Sequence, residues 1–446
     1  MNYRTVKCFN RQSGDFAGYL GTHDNCLTLV QSTADAAWCK WTYKNGDLHL
    51  AKDTAPGDRW LGRATGGYAG WGLDWYAPVT YNGDKTVSLK GEPAHMLYGP
   101  TGDETYISWS DTANNAGALT LQLINPRVWL SHVPGDTLIG DINLPGTHDS
   151  AAINSTIHTP YACHYRSITE QLEAGVRLLD VRLIIDAVPA GPHSPATWEF
   201  YTCHGSTGLN SRAHVYQSLV SLLVECHDFL YAHPSEFIAM SLKIDDQNGV
   251  ADTDLPGVLK ALTNVLANHN VGPWQGDMPS LDTVRKRVYL LDRIIPALLD
   301  PNRKPPLDPV VAQQVAAFSF GVSLDIPDNT PGVLLPATKG RNFPIYVQDM
   351  YEDLPIIDPG AQKYALYVAA IPNKPADGLL INFASATRLK LGGVYIQDQV
   401  VGYFDKNRPT ASGWSLFDYE DQSANSSFGL IDCVEIIIAS NFAYAI

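Results

Sequence analysis

Two textures of hydrophobic patterning divide the chain near residue 124. Before that point, short alternating apolar and polar runs are separated by turn-forming residues. Asn45-Gly46-Asp47 leads into Leu48-His49-Leu50, Asn82-Gly83-Asp84 into Val87-Ser88-Leu89, and Asn115-Ala116-Gly117 into Leu119-Thr120-Leu121. Asn-Gly between alternating runs is a hairpin signal, because both residues tolerate the positive φ of a tight turn. A Leu-Gly turn recurs at Leu20-Gly21 and Leu61-Gly62, more loosely at Leu97-Tyr98-Gly99, and a tryptophan recurs at Trp38, Trp75 and Trp109. Three units of about 35–40 residues built from short strands predict an all-β domain over residues 1–124, a β-trefoil, with an irregular β-sandwich as the alternative. A tryptophan at a fixed repeat position more often fills a core than forms a shelf for a ligand.

From Pro126 onward, short apolar runs alternate with amphipathic helical stretches, the pattern of a parallel sheet with crossover helices. Eight strands are predicted: Ile142-Leu144, Val176-Ile184, Phe200-Cys203, Phe237-Leu242, Val288-Leu291, Ile345-Gln348, Leu379-Phe383 and Val394-Gln397. The clearest helices run near Val215 to Ala232 and Leu255 to Asn268. The Pro- and Asp-rich stretch from Ile294 to Pro344 reads as a loop insertion. Residues 125–446 are therefore expected to form an irregular (β/α)8 TIM-type barrel, so the fold class is α/β preceded by an all-β domain.

With 446 residues, 45% of them hydrophobic and 17% charged, the chain can bury two substantial cores. The net charge of −15 argues against nucleic acid as a partner, since an acidic chain gains nothing from counterion release. Residues 1–124 carry 10 basic and 12 acidic side chains, a net of −2, so the remaining −13 lies in the second part. No charged-then-apolar leader follows Met1 and no long apolar span occurs, so a soluble chain is expected, cytoplasmic or secreted with a leader removed. The 7 cysteines show no CxxC spacing and read as buried thiols, not as a disulfide framework or zinc site.

In such a barrel, working residues sit at the C-terminal ends of the strands. The predicted tips carry Thr147-His148-Asp149-Ser150, Asp180-Val181-Arg182, His204-Gly205, Lys243-Ile244-Asp245, Asp292-Arg293, Asp349-Met350-Tyr351, Ser385 and Asp398. Two histidines, an arginine and several carboxylates at one mouth suit phosphodiester cleavage. One imidazole takes a proton from an attacking hydroxyl, the other gives one to the departing oxygen, and the guanidinium clamps the phosphate. Any one of these residues alone is more often structural; their coincidence in barrel order carries the reading. His158, His164, His193, His214, His227, His233 and His269 read as structural or surface residues.

The run Leu144-Pro145-Gly146-Thr147-His148-Asp149-Ser150, then Leu179-Asp180-Val181-Arg182 and His204-Gly205, resembles the X-region of bacterial phosphatidylinositol-specific phospholipase C. The similarity continues collinearly through Pro234-Ser235-Glu236, Met240-Ser241-Leu242-Lys243, Val347-Gln348-Asp349-Met350-Tyr351, Ile381-Asn382-Phe383 and Ile396-Gln397-Asp398. The resemblance implies attack of the inositol 2-hydroxyl on phosphorus, releasing diacylglycerol and inositol 1,2-cyclic phosphate. It implies His148 as general base held by Asp398, His204 as general acid supported by Asp149, and Arg182 on the phosphate. It further implies Lys243, Arg293 and Asp349 on the inositol hydroxyls, Tyr351 against the ring and Asp180 as an orienting group. Asp245 departs from the family's Glu.

Arg182 resembles the metal-independent branch, because a guanidinium at the phosphate supplies the positive charge that calcium-dependent relatives take from the ion. No cofactor and no metal are implied. Asp180-Val181-Arg182 lacks the Glu-x-Asp metal pair of a glycerophosphodiester phosphodiesterase. The implied partner is phosphatidylinositol in a membrane surface, with glycosyl-phosphatidylinositol anchors as an extension. A glycan partner for the N-terminal, lectin-like domain rests on fold analogy alone. The competing readings are a lectin-like binding protein with an inactive barrel, and a phosphodiesterase for another head group.

Overall fold

The computed structural model describes residues 6–13, 15–31, 37, 39–44, 47–52, 59–64, 67–72, 77–81, 86–100, 105–110, 118–122, 126–153, 162–189, 197–205, 214–269, 271, 274, 276–338, 340–352, 354, 358–386, 396–420, 422–426 and 429–442. The first part is all β, as its alternating pattern predicts. Its strands are β1 (Lys7–Asn10), β2 (Phe16–His23), β3 (Cys26–Val30), β4 (Cys39–Lys44), β5 (Asp47–Lys52) and β6 (Arg59–Arg63). They continue as β7 (Ala69–Gly72), β8 (Val79–Tyr81), β9 (Val87–Leu89), β10 (Glu92–Tyr98), β11 (Ser108–Ser110) and β12 (Leu119–Gln122).

Antiparallel hairpins form at two of the three predicted turns, whereas β12, which follows Asn115-Ala116-Gly117, pairs with β1 and not with the preceding β11. β4 pairs β5 up to Lys44↔Asp47, and β8 pairs β9 up to Tyr81↔Val87. The first and last strands close on each other, β1 against β12. Three further hairpins, β2–β3, β6–β7 and β10–β11, are joined pairwise by the bridges Cys26↔Gly70, Tyr68↔Ser108 and Thr28↔Tyr106. Their apolar faces meet in one core that includes Val6, Leu20, Leu50, Leu61, Trp71 and Leu97. Trp109 is buried there, its indole N–H donating to the Gly62 carbonyl at 3.1 Å. Trp38 and Trp75 lie outside the described residues, as do the Asn45-Gly46, Asn82-Gly83-Asp84 and Asn115-Ala116-Gly117 turns.

The second part is built on parallel strands with helical crossovers. Strand β13 (Leu144–Thr147) is followed by β14 (Leu178–Val188), β15 (Thr197–Cys203), β16 (Val215–Ser218), β17 (Ile238–Asp246) and β18 (Val288–Asp292). Then come β19 (Val322–Ser323), β20 (Thr330–Leu335), β21 (Ile345–Asp349), β22 (Leu379–Phe383) and β23 (Trp414–Phe417). The parallel order is β19-β18-β17-β14-β13-β23-β22-β21, with β20 antiparallel on β21. These strands and their helices enclose a second core, separate from the first, that includes Trp129, Leu179, Met240, Leu290, Val347, Phe383 and Trp414. Eight parallel strands wrapped by helices fit the predicted barrel.

Four expectations are corrected. Phe200-Cys203 belongs to β15, which runs antiparallel to β14 as a hairpin extension and is not a barrel strand. Of the predicted strand Val394-Gln397, Val394 and Tyr395 lie outside the described residues, Gln397 opens the helix Gln397–Asn407, and β23 takes the expected strand's place between β13 and β22. The Ile294 to Pro344 stretch is not a plain loop. It contains the helices Ile294–Leu298 and Pro309–Val315 and the parallel strand β19. Finally, residues 215–218 are strand, and the helix begins at Leu219, where the Ser218 hydroxyl accepts from the Ser221 N–H at 3.1 Å.

The sequence fixes the local geometry that aims the strand tips. Gly146 lies so close to β14 that a Cβ there would meet the Leu178 side chain at 2.8 Å, so a side chain would push β13 away from β14. Before β14, the helix Ile168–Ala174 starts in a Ser167–Glu170 capping box and stops at Gly175 with φ 111°, a left-handed turn that suits glycine. Below the barrel, the Asn143 side-chain carbonyl accepts from the Ser412 and Gly413 N–H groups at 2.8 and 3.0 Å. That clamp sets β13 beside β23 in the register Leu144↔Trp414 through Thr147↔Phe417. The residues that follow, His148 and Asp418, are thereby placed side by side.

Candidate active site

His148, Asp149, Asp180, Arg182, His204, Lys243, Asp245, Arg293 and Asp349 cluster at the C-terminal ends of the barrel strands. The side-chain alternation of a strand puts Asp180 and Arg182, two residues apart on β14, on one face. Arg182 donates to Asp180 Oδ2 from Nε at 3.0 Å and from Nη2 at 2.9 Å. Its Nη1 reaches Asp245 Oδ2 at 3.3 Å, and its Nε lies 3.4 Å from Asp149 Oδ1. Three carboxylates thus hold one guanidinium. Burial works against the Arg182 charge, but Asp180, Asp149 and Asp245 outweigh it and hold its pKa well above the ordinary arginine value. Burial likewise penalises the Asp180 carboxylate, yet Arg182 and Arg293 hold it far below the usual carboxylate range.

Asp149 is buried, with φ 44°, and its Oδ2 faces both histidines: His148 Nε2 at 3.5 Å and His204 Nε2 at 3.4 Å. His204 sits just past β15, so the hairpin that is not a barrel strand still delivers this imidazole to the mouth. On the other side of the His148 ring, Nδ1 lies 2.9 Å from Asp418 Oδ1. Burial pushes the His148 pKa down, but Asp149 and Asp418 override it and hold it well above the free imidazole value. The same opposition acts on Asp149: burial raises its pKa, and His148, Arg182 and His204 bring it below normal.

Asp398, expected to hold His148, does not do so. It lies on the exposed side of the first turn of the helix Gln397–Asn407. Asp418, at the tip of β23, takes that place and was missed by the sequence reading. A signal was available: Trp414-Ser415-Leu416-Phe417 is an apolar-rich run ending in Asp, like Val288–Asp292 and Ile345–Asp349.

The residues expected around an inositol ring divide into three settings. Lys243 Nζ is paired with Asp245 Oδ1 at 2.8 Å. Arg293 bridges Asp180 Oδ1 at 3.4 Å and Asp349 Oδ2 at 3.9 Å. Tyr351 lies beyond Asp349, where its hydroxyl donates to Asp328 and its backbone N–H to the Asn329 side chain at 3.0 Å. The tip of β21 is set from behind by Lys363. This buried ammonium donates to Gln348 Oε1 at 3.0 Å and to the Met350 carbonyl at 2.7 Å, and burial lowers its pKa to about 8. Phe200, near His204 in sequence, is core, whereas Trp198 is only partly buried.

Two further residues bear on the site. His164, read as structural, is fully buried and its ring nitrogens donate to two acceptors: Nδ1 to Glu420 Oε2 at 2.7 Å and Nε2 to the His148 carbonyl at 2.6 Å. Cys163, also buried, has its Sγ 3.8 Å from His204 Nδ1 and interacts with the His148 ring. Burial and Asp418 push this thiol up, but hydrogen bonds with His148 and His204 leave it below its ordinary pKa. A cavity of about 720 Å³ lined by Leu266, Trp274 and Tyr289 lies at the start of β18, the opposite barrel end from these tips.

No family model matches the chain. A 1-phosphatidylinositol phosphodiesterase of Listeria monocytogenes is 28% identical over 203 residues, which cover 43% of this chain and 55% of that protein. The chain thus matches about half the length of this curated relative. Among solved structures, a pentafluoro-Phe form of phosphatidylinositol-specific phospholipase C from Staphylococcus aureus superposes with a TM-score of 0.53 at 20% identity, over 71% of this chain and 98% of that one. A second structure of the S. aureus enzyme, solved in work on its membrane binding, gives a TM-score of 0.53 at 19% identity, over 71% and 98%. The barrel of this chain therefore has the fold of the phosphatidylinositol-specific phospholipases C.

Proposed function

We propose that the chain is a phosphatidylinositol-specific phospholipase C that cleaves phosphatidylinositol to diacylglycerol and inositol 1,2-cyclic phosphate. The observation that carries this reading is that one buried carboxylate, Asp149, faces both imidazoles through Oδ2 and the Arg182 guanidinium through Oδ1. A base, an acid and a phosphate clamp are then within reach of one phosphodiester. In this reading His148, oriented by Asp418 through Nδ1, uses Nε2 to take the proton of the inositol 2-hydroxyl. The oxygen attacks phosphorus, charge gathers on the phosphoryl oxygens against Arg182, and His204 protonates the departing diacylglycerol oxygen. Lys243, Arg293 and Asp349 hydrogen-bond the inositol hydroxyls, Tyr351 covers the ring and Asp180 orients Arg182.

Fixed positive charge from Arg182 supports a metal-independent reaction. The similarity to phosphatidylinositol enzymes supports a membrane-borne substrate, met peripherally: among the described residues no helix is long and apolar enough to cross a membrane. Phosphorus NMR of the products from phosphatidylinositol vesicles in excess EDTA tests the whole reading. The cyclic phosphate resonance is expected. Loss of turnover in EDTA with recovery on adding calcium would refute metal independence, and phosphatidic acid or a non-cyclic first product would refute the mechanism.

Residues 1–124 form, in this proposal, a separate β-trefoil domain and 125–446 the catalytic barrel. The three hairpins joined pairwise by bridges support a threefold arrangement, and the two distinct apolar cores support the boundary. The buried Trp109 argues for a core position at that repeat, so a glycan-binding role for this domain draws no support from it.

A further inference from the structure

We propose that the active site contains a second function: an inhibitory site for a soft divalent metal ion, held by Cys163, His204 and Asp149. The thiol is built into the site. Cys163 donates its backbone N–H to the Ala152 carbonyl at 2.7 Å and accepts from the Tyr419 N–H at 2.8 Å, so both sides of the peptide are pinned between the β13 and β23 loops. Ile153↔His164 bridges the same segment. The side chain has no solvent exposure and turns toward the two imidazoles.

The ligand atoms of Asp149, Cys163 and His204 all lie within 4.8 Å of one another. A tetrahedral ion bound at about 2.0–2.3 Å places its ligand atoms roughly 3.3–3.8 Å apart. The Sγ to Nδ1 separation of 3.8 Å lies at the upper end of that range, and the triad as a whole needs to contract by at most about 1–1.5 Å. A thiolate, an imidazole and one carboxylate select Zn²⁺ or Cd²⁺ over Ca²⁺ and Mg²⁺, which prefer six or more oxygens or water. The fourth position opens toward solvent through His204, whose side chain is 25% exposed. Neighbouring charge does not forbid the ion. Arg182 stands 3.4 Å from Asp149 Oδ1, but Asp180 and Asp245 already pair with it.

Binding releases the thiol proton and occupies both the His204 ring and the Asp149 carboxylate. The group that would protonate the leaving oxygen is then removed from use, so occupancy and turnover exclude each other. The inhibitory half of this inference rests on the catalytic role proposed for His204; the binding half does not. Cys163 itself has no part in the proposed cleavage.

Cd²⁺ titrated into the metal-stripped full chain should develop a thiolate-to-cadmium charge-transfer absorbance that saturates at one equivalent and is displaced by Zn²⁺ but not by Ca²⁺. Cys163→Ser should abolish the band and weaken Zn²⁺ inhibition of phosphatidylinositol cleavage by at least about 10–100-fold, measured relative to the variant's own metal-free rate. Cys26→Ser, at a half-buried thiol of the first domain, should leave both unchanged. X-ray absorption at the zinc edge of the unsubstituted protein should find one sulfur at about 2.3 Å, which keeps the test independent of how the variant folds. Absence of the band, a band that survives Cys163→Ser, a zinc shell without sulfur, or full turnover at saturating Zn²⁺ would each overturn the inference. A protein that shows the band but never cleaves phosphatidylinositol would instead overturn the catalytic reading and leave the metal site standing.

Discussion

The Nδ1 atom of His148 lies 2.9 Å from Oδ1 of Asp418, a residue 270 positions later in the chain. Strands β13 and β23 pair in parallel with Thr147 opposite Phe417, so the next residue on each strand meets across the barrel mouth. A carboxylate at Nδ1 fixes the tautomer that leaves Nε2 facing the site and favours the protonated ring.

Asp418→Asn should therefore reduce kcat/KM by about 10²–10⁴-fold, because the base loses its orientation and its charge partner. The base must be neutral to act, so the acid limb of the pH profile follows the His148 pKa. That pKa is held high by Asp149 and Asp418, and the limb should move to lower pH in Asp418→Asn. Asp398→Asn should leave rate and limb unchanged, since Asp398 is solvent-exposed on its helix. Paired pH–rate profiles of the two variants decide between these carboxylates.

His148→Ala and His204→Ala should each nearly abolish turnover of phosphatidylinositol, by about 10²–10⁴-fold per role. An aryl phosphate leaving group needs little help from an acid. On that substrate His204→Ala should recover part of its rate and His148→Ala should not. Equal recovery in single-turnover assays would reverse or void the assignment.

Arg182→Lys should fall by at least about 10²-fold in kcat. The wild-type guanidinium donates through two nitrogens to Asp180 while Nη1 turns to Asp245, and a point ammonium reproduces neither the fork nor its direction. Steady-state kinetics on soluble inositol substrate should show the loss in kcat more than in KM.

The buried His164–Glu420 pair predicts a pH dependence of folding. Burial lowers the His164 pKa, but Glu420 overrides it and raises the value from 6.5 to about 9. A histidine whose folded pKa is raised contributes its stability in full below the unfolded pKa and loses it as pH rises through the folded one. Urea unfolding should therefore show declining stability from about pH 6.5 to about pH 9. His164→Ala strands the Glu420 carboxylate and should cost about 3–5 kcal/mol near neutrality while flattening that slope. An unchanged slope in the variant would show that other groups set it.

Cutting the chain near Asn125 should leave a soluble barrel that cleaves monomeric inositol substrates at near full rate, because the two apolar cores are distinct. Activity on vesicles should drop if residues 1–124 provide a second attachment point, since avidity is lost. A soluble but inactive fragment on monomeric substrate would show that the first domain completes the active site.

Much of this site could be read from the sequence, because it depends on local rules. An apolar run followed by polar residues marks a strand and its tip, and alternation puts Asp180 and Arg182 on one face of β14. The Thr147-His148-Asp149-Ser150 run marks itself as a strand tip with candidate chemistry. The same rules placed β22 at Leu379–Phe383 and the β4–β5 and β8–β9 hairpins within residues 1–124. Closure was not legible. Whether an apolar segment pairs parallel or antiparallel, and which two strands become neighbours, depends on packing of the whole sheet. Hence β15 was read as a barrel strand and β19, only Val322–Ser323, was overlooked. The family resemblance implied Asp398 as the partner of His148, but Asp398 rides on a helix, and Asp418 is brought to His148 by register across the closing seam. Cys163 likewise reads as an unremarkable thiol, because nothing near it in sequence shows that two chain-distant imidazoles converge on its sulfur. The sequence alone determined which groups could do the chemistry; the tertiary structure decided which of them touch, because ion pairs and ligand sets are made between strands and not along them.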